Sequence, residues 1–511
     1  MQHPAQQRDM QHQQISAVRS IYTQYIQQKA KIKKDKKKKE KRRKKERFKM
    51  ASEIATTMKK TTDKNVTDMT TGSPARHILF FSLPLLVGNL FQQLYNMVDS
   101  IVVGNFVGKE AVAAVGTCGS MGFLFFSLSS GLAIGIGIIV SQYFGARDEI
   151  NVRNTIANSF YVLISTSIVV SIIGYLTAPA LLRLLATPDN IIADSILYMR
   201  TTCIGIIGIA LYNGISAILR ALGDSRTPLY FLIVASIINV VLDLVFVLIF
   251  GWGVFGVAFA TIIAQIVSAV TCLIYAYKKV SYFRLTKEEL QPQKNIIIQS
   301  FRLGIPVALQ NSMIAISCMA LQGVVNSFGD TIMAAYTITG RIEQIVQQPY
   351  GSLAMAVTTY TGQNVGAGKY DRVKSGFRQS TLMVLVFSLA LIPVFYLLGK
   401  PIVEIFLKDP DVISVAANSL KITSLCYFAL GMIYVPRALL NGCGDAGFAM
   451  INGLTEVLCR ILLAPLLCHI PFLGFWGIWV TTGLTWTITS LVCVARYFQG
   501  KYLKHSDSML K

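Results

Sequence analysis

The sequence predicts an all-α membrane protein. Twelve transmembrane helices form two six-helix lobes related by a pseudo-two-fold axis along the membrane normal. Three observations carry this reading. Hydrophobic residues make up 53% of the 511 positions and charged residues only 14%, where soluble domains carry roughly 25% charged residues. Mean hydropathy is +0.51, and a water-soluble enzyme of this size would lack its charged coat. The apolar residues gather into twelve stretches from Ile78 onward, each about 20 residues or longer and so able to cross a bilayer as a helix. Finally, the chain is duplicated.

The elements follow in order. Residues 1–68 hold +13 of the net charge of +22. The run from Lys29 to Lys49 repels itself, buries nothing and is expected to be disordered on the cytoplasmic side. It reads either as a tether to anionic lipid or as a solvated tail, absent altogether if synthesis starts at Met50 or Met69. Concentration of most of the charge in this tail argues against nucleic acid as a partner. No short apolar core follows it before Ile78, so a cleaved signal peptide is not expected.

The first lobe (69–290) carries spans over 77–103, 111–143, 154–181, 192–222, 227–250 and 254–278. The first contains Gln92, Asn96 and Asp99, spaced to share a helix face. The second ends on SQYFGAR and the fourth on LRALGD. The fifth contains Asn239 and Asp243, one turn apart, and the sixth Thr261. The second lobe (291–511) carries spans over 296–327, 331–362, 375–399, 412–441, 447–470 and 474–498. Arg341, Glu343, Gln344 and Gln347 lie in the eighth span, which ends on GQNVGAG; the tenth ends on LNGCGD. Glu456 and Arg460 lie in the eleventh, at a spacing that lets them pair within one helix.

With both termini inside, 20 Lys and Arg flank the spans on the cytoplasmic side, Arg220 and Arg437 among them, against 4 outside. That bias satisfies the positive-inside rule. The nine cysteines form no CxxC pair and read as small buried hydrophobes. The five His are too dispersed for a metal site.

The duplication has a constant offset of 221. Gln142, Gly145 and Ala146 match Gln363, Gly366 and Ala367. Leu219, Gly223 and Asp224 match Leu440, Gly444 and Asp445. Gly253 and Gly256 match Gly474 and Gly477, and Arg200 matches Lys421. Near Pro84 and Pro306 the offset is 222. Six spans per copy orient both copies alike, a design used by transporters whose two bundles rock about a central substrate. Taken singly, the matched glycines read as helix-end residues that need a positive φ.

Ionisable groups within spans are costly, and so are functional candidates. Carboxylate, amide and hydroxyl oxygens such as those of Asp99, Asn239, Asp243 and Thr261 suit a hard cation or a shared proton. A hydrogen-bond cluster tying helices 1, 5 and 6 together is the competing reading. At the repeat offset Asp243 maps to Ala464 and Asp99 to Leu321, so these acids are private to the first lobe. Arg341, Glu343, Gln347, Glu456 and Arg460 form either a structural ion-pair network, with Arg460 a partner for Glu343, or a drug-recognition or proton-relay set. Phe91, Tyr95, Tyr212 and Met355 are candidates to line a drug cavity.

The motifs LPLLVGNLFQQLYNMVDSIVVGNFVG, SQYFGARD, LRALGDSRTP and RIEQIVQQPYGSLAMAVTTYTGQNVGAGKYDRV together resemble the multidrug and toxic compound extrusion (MATE) transporters, in their bacterial DinF-like branch. The resemblance runs from about Ser73 to Gln499. It implies a V-shaped twelve-helix fold, no enzymatic activity and no cofactor. It also implies export of cationic or amphipathic drugs in exchange for H⁺ or Na⁺. Some members have a first-lobe cation site made from an Asp in helix 1, an Asn-x-x-x-Asp in helix 5 and a Thr in helix 6. Asp99, Asn239, Asp243 and Thr261 match that pattern, and no other metal site is expected. Another branch has acids in helices 7 and 10, where this chain has Ile314 and Gly431. The expected partners are small-molecule drugs or organic cations and the lipid bilayer, with the chain a monomer in a bacterial inner membrane. A flippase for lipid-linked precursors and a non-transporting scaffold are the alternatives. A flippase should have a larger, more cationic central cavity, a drug exporter an acid-lined one.

Overall fold

The computed structural model describes residues 66–500, apart from Ala186 and the side chain of Ser120. The basic run Lys29–Lys49 lies outside the described residues. Among the described residues there are helices and no strand: α1 (Pro74–Val102), α2 (Lys109–Gly145), α3 (Glu149–Leu184), α4 (Asp189–Ala221), α5 (Arg226–Leu244), α6 (Gly253–Lys279), α7 (Lys294–Val325), α8 (Asp330–Gly366), α9 (Tyr370–Glu404), α10 (Pro410–Ser424), α11 (Tyr427–Gly442), α12 (Gly447–Cys468) and α13 (Gly477–Phe498).

Helices α10 and α11 meet at 51° and make one bent span, so thirteen helices give twelve rods. Ten rods are long and apolar enough to cross a membrane, and the bent pair is an eleventh. The twelfth, α8, spans 37 residues but is more polar than the rest. It packs against α1, α2, α9, α10 and α11, which shield its polar groups from lipid. Elsewhere Leu176, Leu397, Leu462 and Leu491 stand exposed on helix surfaces, as suits an apolar solvent. Helix starts have local causes: Asp148 accepts from the Asn151 amide at 3.1 Å, and Asp409 accepts from the Asp411 amide at 2.9 Å, each satisfying a free N–H of the first turn.

The packing is duplicated like the sequence. Helix α2 packs on α4 as α8 packs on α11; α4 meets α6 as α11 meets α13; α1 meets α5 as α7 meets α12. The halves join through α1 on α8 and, equivalently, α7 on α2. One matched pair gains a physical reason here. Arg200 stacks 4.8 Å from the Tyr175 ring and Lys421 6.0 Å from the Tyr396 ring. Both cations and both rings are 221 residues apart, so a cation–π contact was copied whole.

At one end of the bundle the seam is tight. A Cβ on Gly145 would overlap the backbone of Gln363, and a Cβ on Gly366 that of Gln142. Gln142 donates to the Gly442 carbonyl at 2.8 Å. Its repeat mate Gln363 donates to the Ala221 carbonyl at 2.9 Å. Gly145 and Gly366 are therefore close-approach glycines rather than positive-φ ones, which corrects the helix-end expectation. Gly223 and Gly444 do take positive φ, at 89° and 87°.

Residues 66–72 cross this same end as a strap. The Met69 amide donates to Gln363 at 2.9 Å, and the Lys369 ammonium donates to the Thr70 carbonyl at 2.8 Å. Arg372 donates to the carbonyls of Met69 and Gly72, each at 2.9 Å. On the other half, Asp68 pairs with Arg147. Arg147 holds φ 59°, where its repeat mate Gly368 holds 69°.

Candidate functional site

Two helices of the first half present acids near their far ends. Asp99 lies on α1 just before a π-helical turn at Val103–Val107, and Asp243 on α5 just before another at Val245–Ile249. Such turns widen a helix locally and recur at functional sites. The floor beneath them is apolar: Val102, Val103, Val247, Val254 and Val257 share one cluster. In this setting the Asp99 and Asp243 carboxyls abut. Asp243 is fully buried and Asn239 is 2% exposed. Asn239 donates to the Thr261 hydroxyl at 3.3 Å, and Thr261 donates to the Val257 carbonyl at 3.1 Å.

The oxygens left over matter most. Asp99 Oδ1, Asn239 Oδ1 and both oxygens of Asp243 are buried with no hydrogen-bond partner. Native interiors rarely strand acceptors in this way. Two abutting carboxyls also cannot both stay charged without a proton or cation between them. A void of about 10 Å³ lined by Tyr95, Asn239, Thr261 and Gln265, with neither carboxyl in its wall, lies beside Asn239, room for about one water-sized group. The donor set, all oxygen, fits H⁺ or Na⁺. Gln265 was not singled out by its sequence, nor was Tyr198, which stands in the field of both acids. A neutral polar residue in an apolar span gives little signal by itself. Gln92 is half-buried near Tyr95, while Asn96 is exposed.

The second-half polar residues split up. Glu456 and Arg460 pair at 3.3 Å, each side chain 7% exposed. Arg460 also donates to Cys318 Sγ at 2.9 Å. It forms no ion pair with Glu343 among the described residues, contrary to the expected pairing, because Glu456 already occupies it. Glu343 lies near Thr423, with its buried Oε1 unpartnered. Arg341 is exposed. Cys318 is exposed as well, so the expectation that the cysteines are buried hydrophobes fails there.

A cavity of about 270 Å³ lies between the halves. Of the residues expected around a substrate, Met355 lines it; Gln92, Asn96, Arg341, Glu343, Gln347, Glu456 and Arg460 do not. Gln347 reaches it only indirectly, accepting at 3.1 Å from Tyr434, which does line it. Its charged lining is Arg220 and Arg437, with no acid. An acid-lined cavity was the expectation for cationic cargo. Both arginines were counted among charges flanking the spans, and both turn inward instead.

A family model described as MatE matches the chain twice, over residues 84–245 and 306–466, in step with the repeat. The chain is 31% identical to the "Probable multidrug resistance protein YpnP" of Bacillus subtilis, over 85% of this chain and 97% of that protein. It is 28% identical to the "Probable multidrug resistance protein YoeA" of the same organism, over 85% and 96%. Among solved structures, one described as the outward-facing conformation of a multidrug resistance MATE family transporter superposes with a TM-score of 0.81 at 22% identity, over 86% of this chain and 99% of that one. Another, from Pyrococcus furiosus, is described as having a binding pocket of reverse polarity that suggests a different function; it superposes at 0.80 and 22% identity, over 88% and 99%. At these identities the structures establish the two-lobe fold.

Proposed function

This chain belongs to the MatE family of multidrug efflux transporters, and on that premise we propose that it is a secondary antiporter driven by H⁺ or Na⁺. The observation that supports this most is the set of buried, unpartnered oxygens on Asp99, Asn239 and Asp243. A transporter, not an enzyme, it needs one group whose charge state differs between its two access states. Asp99 sits on α1, which packs on α8 of the other lobe as well as on α5. A cation or proton taken up between Asp99 and Asp243 therefore acts where a helix touches both lobes. Cargo is an amphipathic small molecule carried through the central cavity. The chain works as a monomer in a bacterial inner membrane, with the strap end of the bundle in the cytoplasm.

The test is gradient-driven movement of a fluorescent amphiphile in proteoliposomes. Asp99→Asn and Asp243→Asn each keep size and hydrogen bonding but remove the charge, and each is expected to lower gradient-driven transport by about 100-fold while accumulating normally in the membrane. Normal transport by both variants would sink the coupling site. Failure of both to accumulate would favour a structural cluster instead. In a cysteine-free background, side-specific labelling of cysteines at the exposed positions Arg226 and Lys109 checks orientation: the first should react from the cytoplasm alone, the second from outside alone.

A further inference from the structure

The central cavity has a chemistry of its own. Arg220 comes from α4 and Arg437 from α11, one from each lobe. They are not repeat mates: at the offset of 221, Arg220 matches Asn441 and Arg437 matches Ser216. Each lobe has therefore acquired its cation separately, one helical turn apart along equivalent helices. Neither arginine has an ion pair among the described residues. Arg437 instead lies 4.9 Å from the face of the Tyr434 ring. Nearby, Asn441 has a buried Oδ1 without a partner. The rest of the wall is uncharged and more apolar than polar: Ile134, Ile138, Val307 and Met355 stand among neutral polar groups such as Gln310 and Asn311. Two guanidinium groups held in a mostly apolar wall, with no carboxylate to neutralise them, are an anion site.

We propose that the cavity between the lobes binds an anionic amphiphile, with Arg220 and Arg437 gripping an oxyanion head, carboxylate or phosphate, and the apolar wall taking the start of its tail. This rests on the reading that the cavity is the cargo site of the antiporter. A cavity of about 270 Å³ falls just short of the usual range for whole drug-sized ligands, about 300–1,000 Å³. It suits a head group and the first carbons of a chain better than a complete bulky drug. Organic cations would meet two like charges and no acid.

The test uses the full chain in neutral detergent and two dansyl probes of equal alkyl length, one ending in a carboxylate and one in an amine. Wild type should bind the acid about tenfold more tightly than the amine. Arg220→Gln and Arg437→Gln should each weaken the acid about tenfold and leave the amine unchanged or tighter. If a Gln variant does not fold, Arg220→Lys or Arg437→Lys keeps the charge, loses the fork geometry and should give a smaller loss of the same sign. Competition separates the sources. Displacement by decanoate points to single-chain acids, and displacement by phosphatidic acid to membrane lipid. Displacement by inorganic phosphate alone overturns the amphiphile. Equal or tighter binding of the amine to wild type overturns the proposal, as does equal weakening of both probes in the Arg variants. Gradient-driven, Asp99-dependent transport of the amine that ignores both Arg variants would sink this proposal and leave the antiporter standing. Arg-dependent binding of the acid without gradient-driven transport would do the reverse.

Discussion

Glu456 and Arg460 are the most deeply placed ion pair on view, each 7% exposed. Removing one partner of such a pair leaves a lone buried charge and costs about 3 kcal/mol or more. Glu456→Gln should therefore lower the melting temperature in detergent, and Glu456→Gln with Arg460→Met should recover most of the loss. If the double variant is no better than the single, the pair serves something other than folding. Single residues also mark where the sequence was legible. Asp99 and Asp243 could be read because a carboxylate in the middle of an apolar span has few innocent explanations. Arg220 and Arg437 could not, because an arginine near the end of a span looks like any flanking charge, and only the fold shows which way it turns.

Between elements, the contact of α2 with α8 depends on having no side chain at Gly145 and Gly366. Gly145→Ala should push the two helices apart and expose the cavity from the strap end. A cysteine at Thr359, which lines the cavity, should then label faster from that side; an unchanged rate would mean the seam yields elsewhere. The strap adds to the same closure. Removing residues 1–65 should leave transport intact, whereas removing 1–68 takes away the partner of Arg147 and should loosen the end. Burial of Asp68 disfavours its charge, but hydrogen bonds from Thr70 and the charges of Arg147 and Lys369 more than offset this and hold its pKa below the ordinary 3.8. The contact is thus present at any pH above the unfolded value and is lost only as pH falls through the lower folded one. A cysteine at Thr67 should label at a constant rate relative to a free thiol reacted in parallel, which cancels the thiol's own ionisation, between about pH 8 and pH 5, and strap release within that window would contradict the assignment. The repeated motifs at this end were plain in the sequence. That Gln142 and Gln363 clasp across the halves was not, since a pattern along one chain does not say which copy each residue touches.

At the scale of the whole molecule, the twelve rods and their duplication were legible because hydropathy and a constant offset are properties of long stretches. The bend between α10 and α11 was not, since no proline or glycine stands at Leu425–Cys426 to announce it. The largest consequence comes from the two arginines in the cavity. Exchange of one cation outward for one cation inward moves no net charge. If the outgoing cargo is an anion, each cycle with one inward H⁺ or Na⁺ shifts two positive charges towards the cytoplasm. An inside-negative potential then adds about 2.3 kcal/mol per charge for every 100 mV, on top of any ion gradient. Proteoliposomes on a capacitive electrode should give a current that follows the acid probe and vanishes in the Asp99→Asn variant, whereas a silent electrode during rapid transport would mean neutral exchange. A carrier wired in this way draws on membrane voltage twice per turn, and could keep expelling its cargo after the chemical gradient of its coupling ion had run down.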